Sequence, residues 1–565
     1  MDFGVFFCMD INSTRTKAGA PMPLGAMDWG VVAALAVTTA VFVWRHISHP
    51  VLPMEDASML LRYSQNLARG YGIVWNVGEH PVEGATDFLY MVLVGGLSWL
   101  TRAGVTSVAT WILLLSHVGC VVVVYAAMRR LFSAPMLLAV GFSAALGAGL
   151  GWHYVNTGFS APFYGLFALL SWMVGTLCVV YGVTWRRAIA FGLLCFVTGL
   201  IRPDGVILAV LMLCSTVYGV HERRARLWIS FGTIFTVLGG IYFLWRLHYF
   251  GYPFPNPFYV KHVGGFAVDS IKLSGRAVAE MLLPFLPLVG LGFRNMPARR
   301  QLIRWLITVV PFICVWMLIS LANNHYARFQ YVMIPLTMLW LGELVSTWWE
   351  ELKLEGAEVL RVVRPPLTGL AVMLFGAAIF YNMHLYRGTF SNVGAQSIAA
   401  RLKPFASKHY TMVVTEAGDL PFYSEWQAVD ALGLNDAFVA HHNGVLTEAY
   451  LDRYKPEILM YDQWSAFRSL EDIRAQATGQ ATLTKDALSQ NDAIMRHYAV
   501  SHGYVLAAMW GATYCNYHVF WVRSDFPDRN AIVSAIKDYP FYTQGEGLLA
   551  YDFRDAPIPT VPCSI

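Results

Sequence analysis

Charge is what this chain has least of. Of its 565 residues, 13% are Asp, Glu, Lys or Arg and 56% are hydrophobic, whereas soluble domains carry about twice that charged share. A single water-soluble globule is excluded. A basic patch is missing too: 40 Lys+Arg against 36 Asp+Glu leave a net charge of +4, spread in short clusters between apolar runs, which argues against nucleic acid as a partner. The eight cysteines have no metal-ligand spacing. Cys8, Cys120, Cys178, Cys195, Cys214 and Cys314 lie in or near apolar segments, so Cys515 and Cys563 leave room for one disulfide. There is no G-x-x-x-x-G-K-[ST] loop to cradle a nucleotide, and the energy for any group transfer has to arrive with an activated substrate. Residues 1–26 lack a cleavage site behind a short apolar core and read as a disordered tail before a retained helix.

Long apolar runs are what the chain does have. Met27–Arg45 is long enough to cross roughly 30 Å of hydrocarbon. Further spans are expected near Thr106–Met128, Pro135–Leu150, Ala161–Val183, Ala188–Ile201, Val206–Val220, Leu227–Tyr249, Met281–Gly292, Leu302–Leu321, Val332–Trp348 and Leu367–Tyr381, eleven in all. The arginine-rich linkers at Arg129-Arg130, Arg186-Arg187, His221–Arg226, Arg294–Arg304 and Lys353–Arg364 are assigned to the cytoplasmic side by the positive-inside rule. A crossing at Asp87–Leu100 would invert every later linker, so that segment reads as an interfacial helix within a first outer loop, residues 48–104. The expected architecture is a polytopic α-helical membrane domain over residues 27–384. It is followed on the outer side, from residue 385 to 565, by a soluble α/β domain in which polar residues return and β-like runs such as Tyr410–Thr415 and Tyr517–Val522 alternate with helical stretches such as Leu470–Ala477.

The unusual residues gather on the predicted outer face. Between Met54 and Asp87 lie Glu55, Asp56, Arg62, Glu79, Glu83 and Asp87, interleaved with Tyr63, Tyr71 and Trp75. Glu79, in a turn-like Val-Gly-Glu-His, reads as part of a wetted loop. Glu55-Asp56 stands directly before a helical run, where an acid either caps the helix or serves as a base. Leu200-Ile-Arg-Pro-Asp-Gly205 breaks two short helices. Its Arg202 either snorkels to headgroups or binds phosphate. The proline-rich Gly251–His262 ends in Lys261 and His262, and Asn323–Tyr331 offers His325 and Arg328; each is a surface turn or a source of phosphate ligands. Carboxylates for a base and cations for an anion, on one membrane face, suit transfer of a sugar from a lipid phosphate. A base takes the proton of a poorly nucleophilic hydroxyl while the cations hold the departing phosphate.

Several of these residues form a recognisable series: Glu55-Asp56, Arg62-Tyr63, Asn66-Leu67, Gly70-Tyr-Gly72, Val82-Glu-Gly84, Arg202-Pro-Asp-Gly205, Pro255 to Lys261, and Gly418-Asp-Leu-Pro-Phe-Tyr423 continuing to Asp430 and Leu432-Gly-Leu-Asn-Asp436. The series resembles the GT-C integral-membrane glycosyltransferases over nearly the whole chain after Met27. Within that superfamily, the span count and C-terminal domain are most similar to the terminal arabinofuranosyltransferases of the AftB type. Where relatives often read Gly-(Leu/Met)-Glu-Thr, this chain has Gly158-Phe-Ser-Ala161.

The resemblance implies an inverting transferase in a bacterial cytoplasmic membrane, with its site and C-terminal domain periplasmic. Its donor would be a polyprenyl-phosphate sugar, decaprenyl-phosphate arabinofuranose, and its acceptor a hydroxyl of a glycan, lipid or protein. Asp56 or Glu55 would be the base. Arg202, Lys261, Arg328 and His325 would bind the donor phosphate, and Arg62, Glu83, Asp87, Asn256, Tyr259, Asp430 and Asp436 the sugars. A divalent cation is compatible with these carboxylates, though no dedicated metal cluster is visible. Asp419, Tyr423 and Asn435 could join the acceptor contacts. Asp436 could instead cap a helix, and core packing is the commoner fate of aromatics such as Trp426 and Trp464. Apart from its lipid surroundings the protein is expected to act as a monomer. A transporter or flippase of lipid-linked sugars is the alternative. Such folds commonly repeat internally, and the two halves of the helical region show no convincing echo.

Overall fold

The computed structural model describes residues 23–47, 53–149, 151–261, 296–319, 328–354, 393–464, 490–513, 516–537 and 549–551, with scattered positions in 271–285 and 369–380. The expected spans at Met281–Gly292 and Leu367–Tyr381, the helical stretch at Leu470–Ala477, His325, Cys515 and Cys563 lie wholly or largely outside the described residues.

Where the sequence is apolar for twenty residues or so, it is helical. Helix α1 is Ala26–His46; after the first loop come α4 (Val105–Arg130), α5 (Met136–Ala144, prolonged by a π turn to Gly149) and α6 (Ala161–Tyr181). Next are α7 (Trp185–Ile201) and α8 (Asp204–Gly219), then α9 (Arg224–Ile234), which a π turn joins to α10 (Gly240–Phe250). A short α11 (Asn256–Lys261) precedes α12 (Met296–Ile319) and α13 (Met333–Leu354). Among the described residues, Ala26–His46, Val105–Arg130, Met136–Thr157, Ala161–Tyr181 and Arg224–Phe250 are long and apolar enough to cross a membrane. The protein is a multi-pass membrane protein. Asp28 at the start of α1 pairs with Arg129 at the end of α4 (2.7 Å), and Arg226 in the first turn of α9 donates to Val183 O before α7 (3.0 Å). These arginine-bearing ends are the ones remote from the first loop.

That first loop contains two helices. In α2 (Glu55–Ala68) the residues Ala57, Leu60, Leu61 and Ser64 are buried on one side. Helix α3 (Phe88–Thr101) has fourteen residues, about 21 Å at 1.5 Å per residue, and is too short to cross upright. It lies against α2, with Ser64 donating to Met91 O (3.0 Å).

The C-terminal domain runs α14 (Val393–Leu402), β1 (Thr411–Val414), α15 (Asp419–Ser424), β2 (Gln427–Asp430), α16 (Ala437–His441), α17 (Glu448–Tyr454), β3 (Ile458–Trp464), α18 (Gln490–Ser501), β4 (Val505–Thr513), β5 (Asn516–Val522), α19 (Arg529–Lys537) and β6 (Leu549–Tyr551). Its six-stranded sheet has the order β2-β1-β3-β5-β4-β6, parallel among β2, β1 and β3 and antiparallel beyond. Alternation along β1 separates two cores. Val413 joins Val429, Leu459, Leu451 and Met495 on one face, whereas Met412 and Val414 join Met460, Ala428, Ile398 and Trp426 in a cluster continuous with the membrane helices. The domain is built onto the bundle through its own hydrophobic core.

Candidate active site

Helix α2 starts without a side-chain cap: Met54 is the N-cap residue and no side chain bonds the first turn. Capping is therefore not what the acidic pair does. Both carboxylates lie near the helix start, where the dipole favours negative charge, and they go to different partners. Asp56 accepts from Arg328 Nη2 at 2.9 Å. Glu55 accepts from the backbone N–H groups of Gly418 (2.5 Å) and Asp419 (2.8 Å) in the C-terminal domain. Burial, then the charges of Asp419 and Glu416, hold the Glu55 carboxyl well above its usual pKa.

Around Asp56 the cations assemble. The Arg328 guanidinium lies 3.9 Å from the centroid of Phe159 and 5.0 Å from that of Phe329, and Arg202 lies 4.9 Å from the same Phe329 ring. The Met54–Ala57 turn is thus linked to the Ile201–Gly205 corner through Arg328 and Phe329. Arg202 Nε donates to Asp204 (2.9 Å), and its Nη1 pairs with Asp87 at 3.5 Å. Asp87 also accepts from Ser160 Oγ (2.5 Å). The corner is tight because Gly205 has no side chain: a Cβ there would fall on Thr198 O. Arg328 is buried, and its Nη1 has no hydrogen-bond partner among the described residues. A buried donor on a cation without an acceptor is costly, on the order of 1–3 kcal/mol or more, and it marks where an anionic group would be welcome.

Other candidates have protein partners. Glu83 takes Arg246 Nε through both oxygens (2.6 and 2.7 Å), and burial raises its pKa against that pairing. Asn256 is buried and its side chain donates to Gly433 O (3.3 Å), while its own N–H bonds Glu83 O (3.0 Å). Tyr259 is half-buried against the His441 ring, 4.4 Å away, which stacks on Tyr252 at 3.9 Å. Each of the three guanidinium nitrogens of Arg62 donates: to Trp75 O, Pro421 O, Asn76 Oδ1 and Trp426 O. Asp430 accepts from the Leu432 and Asn435 backbones and from Asn435 Nδ2, and burial pushes its pKa up to about 6 against those bonds. Asp436 caps α16 through Val439 N–H (3.0 Å) and accepts from Tyr450 OH (2.9 Å). Lys261 ends α11, and its side chain lies outside the described part, as do that of Trp464 and all of His325.

The structure thus brings together Asp56, Asp87, Arg202 and Arg328. It places Glu55 and Arg62 on the seam with the C-terminal domain, and Glu83, Asn256, Asp430 and Asp436 in contacts beside it. Sequence reasoning missed Phe329, Phe159 and Arg246. Arg246, a cation within an apolar run, carried a usable signal; the two phenylalanines carried none. Among the described residues no group of three or more His, Cys, Asp or Glu could hold a metal ion.

Residues 382–525 match a family model described as a domain of unknown function, DUF8728. No curated protein matches the chain in sequence. In structure the chain is similar to ArnT from Cupriavidus metallidurans in the apo state, at 15% identity and a TM-score of 0.55, over 77% of this chain and 93% of that one. It is also similar to the Archaeoglobus fulgidus oligosaccharyltransferase in complex with Zn and sulfate (10% identity, TM-score 0.49, 86% and 72% covered). A third likeness is to archaeal AglB of the same organism in complex with an inhibitory peptide and a dolichol-phosphate (10%, 0.48, 88% and 75%). At such identities the likeness is one of fold, and the fold of this chain is GT-C with a C-terminal α/β domain.

Proposed function

We propose that the protein is an integral-membrane glycosyltransferase that moves a sugar from a polyprenyl-phosphate donor to a hydroxyl of a glycan, lipid or protein acceptor. The observation that carries the reading is the Asp56–Arg328 pair at 2.9 Å, with a buried Nη1 on the arginine that has no acceptor among the described residues and Arg202 beside it across Phe329. The GT-C fold supports it, as does the position of the pair at the bundle end that carries the C-terminal domain. The arginine-rich linkers at the other end orient this end outward by the positive-inside rule, toward the periplasm of a bacterial cytoplasmic membrane.

The proposed step follows from the charges. The donor phosphate takes Arg328 as its counter-ion, which turns the Asp56 carboxylate toward the acceptor. The acceptor oxygen attacks C1 of the sugar, its proton passes to Asp56, and the C1–O bond breaks with its electron pair moving onto the phosphate. The phosphate thereby gains a negative charge that Arg328 and Arg202 stabilise. Attack opposite the leaving group inverts C1. For the donor sugar we propose D-arabinofuranose, on the resemblance to the AftB-type enzymes.

Purified protein given a labelled polyprenyl-phosphate pentose should release polyprenyl phosphate and form a glycoside, and Asp56→Asn should stop both. Translocation of the lipid-linked sugar across vesicles without any glycosidic product would replace this reading with the flippase.

A further inference from the structure

Two adjacent acids with different partners raise the question of what Glu55 does. The face of α2 that carries Glu55 continues through Ser58, Arg62 and Arg69, positions spaced by three, four and seven residues and therefore aligned along one side of the helix. All four reach the segment from Gly418 to Trp426. Glu55 clasps the Gly418 and Asp419 N–H groups, the Ser58 hydroxyl donates to the Asp419 carboxylate, and Arg62 grips Pro421 O (2.5 Å) and Trp426 O (2.7 Å). Arg69 binds Glu425 through both oxygens (2.8 and 2.9 Å). Gly418 is needed for the approach: a Cβ there would fall on the carbonyl oxygen of Glu55. On its other side Arg62 holds Trp75 O and Asn76 Oδ1, so the first loop, the helix and the domain are fastened at a single guanidinium. Asp56, one residue on and about 100° around the helix, faces Arg328 instead.

We propose that the C-terminal domain is the clamp that sets the rotation of α2, with Glu55 and Arg62 as positioning residues, so that Asp56 meets Arg328 only while the domain is docked. This rests on the reading of Asp56 as the base, but the clamp itself is testable without it. A rotation of α2 large enough to free Glu55 from Gly418 carries Asp56 away from Arg328, because both side chains ride on the same turn. Glu55 has its two carboxylate oxygens committed to backbone N–H groups, a use that a neutral amide can partly keep and a methyl group cannot.

The test uses the full chain in detergent micelles, with hydrogen exchange by mass spectrometry over residues 415–426 and donor turnover measured side by side. Glu55→Ala and Arg62→Met should each speed exchange in that segment at least tenfold and lower kcat at least tenfold, with the donor KM changed less. Glu55→Gln, which keeps one acceptor oxygen, should retain most of the turnover that Glu55→Ala loses. Asp56→Asn should abolish turnover with exchange unchanged. Should Arg62→Met fail to fold, Ser58→Ala removes the hydroxyl's bond to the Asp419 carboxylate and should still speed exchange there. Exchange unaltered in Glu55→Ala and in the foldable seam variant overturns the clamp, as does a Glu55→Gln protein as dead as Asp56→Asn. Wild-type protein without transferase activity overturns the function instead, and the exchange data then judge the clamp by themselves.

Discussion

The seam between α2 and the C-terminal domain and the pocket around Asp56 each bury an arginine, and the two are used in opposite ways. Arg62 and Arg328 are 6% and 7% exposed, so both have given up nearly all their hydration. Arg62 has recovered it from four acceptors belonging to the first loop and the domain. Burial brings its pKa down only to about 10, which leaves it charged at neutral pH. Arg328 has Asp56 and two aromatic faces, and an Nη1 nitrogen without an acceptor among the described residues. An arginine whose every nitrogen is met within the chain holds a structure together; one kept short of acceptors in a buried place is set to receive an anion.

The sharpest way to break this contrast is at Asp56 itself. Asp56→Asn should lower kcat by about 10³-fold, within the span expected of a lost general base, while the thermal midpoint of the purified protein stays put; released polyprenyl phosphate is the readout. Next come the two arginines as a matched pair. Arg62→Met strands four buried acceptors and should destabilise the protein by roughly 3–5 kcal/mol. Arg328→Met should leave the melting temperature unchanged or higher and cost about 10²-fold in kcat. Equal loss of stability in both variants would erase the distinction between seam and pocket.

A smaller effect is expected with pH. The Asp430 pKa is raised to about 6 by burial, so folding favours its protonated form. Its contribution to stability is full below the unfolded value near 4 and is lost as pH rises through 6, which predicts a rise in stability of about 1 kcal/mol per pH unit as pH falls from 6 toward 4. Calorimetry should find that slope flattened in Asp430→Asn. Glu425 runs the other way: burial is outweighed by Arg69 and Lys403, its pKa falls to about 2, and its contribution is full above the unfolded value of 4.5 and declines as pH falls from there toward 2. The smallest change belongs to Arg69→Ala. Arg69 is 42% exposed in its side chain, and its loss should cost under about 1 kcal/mol in chemical denaturation.

Much of this architecture is legible in the sequence because its causes are local. Apolar runs become helices at Ala26–His46, Val105–Arg130 and Ala161–Tyr181, short β-like runs become strands at Thr411–Val414 and Asn516–Val522, and Pro203-Asp-Gly205 becomes a corner. The acidic pair, Arg202 and Arg328 stand out for the same reason, as charges where charge is expensive. The division of labour between Glu55 and Asp56 is not legible. It is decided by Gly418, more than three hundred residues away in the chain, and by which side of a helix turn faces it. Arg62 carries a motif that suggests ligand binding, yet three of its four acceptors are main-chain carbonyls, and every residue has one of those. Asp436 could be read as a helix cap or a sugar ligand; the N–H of Val439 and the hydroxyl of Tyr450 take up its oxygens.

The bonds from Trp75 and Asn76 to Ala428 have a further consequence. Ala428 sits in β2, the outermost strand of the sheet. Asn76 Oδ1 accepts from its N–H while Asn76 Nδ2 and Trp75 Nε1 donate to its carbonyl, so a loop side chain imitates the next strand. Severed from the membrane half, the soluble portion would display an open ladder rung to any passing extended peptide, another copy of itself included. Secretion of that portion alone should therefore yield self-associating material, because the first loop is what covers that rung.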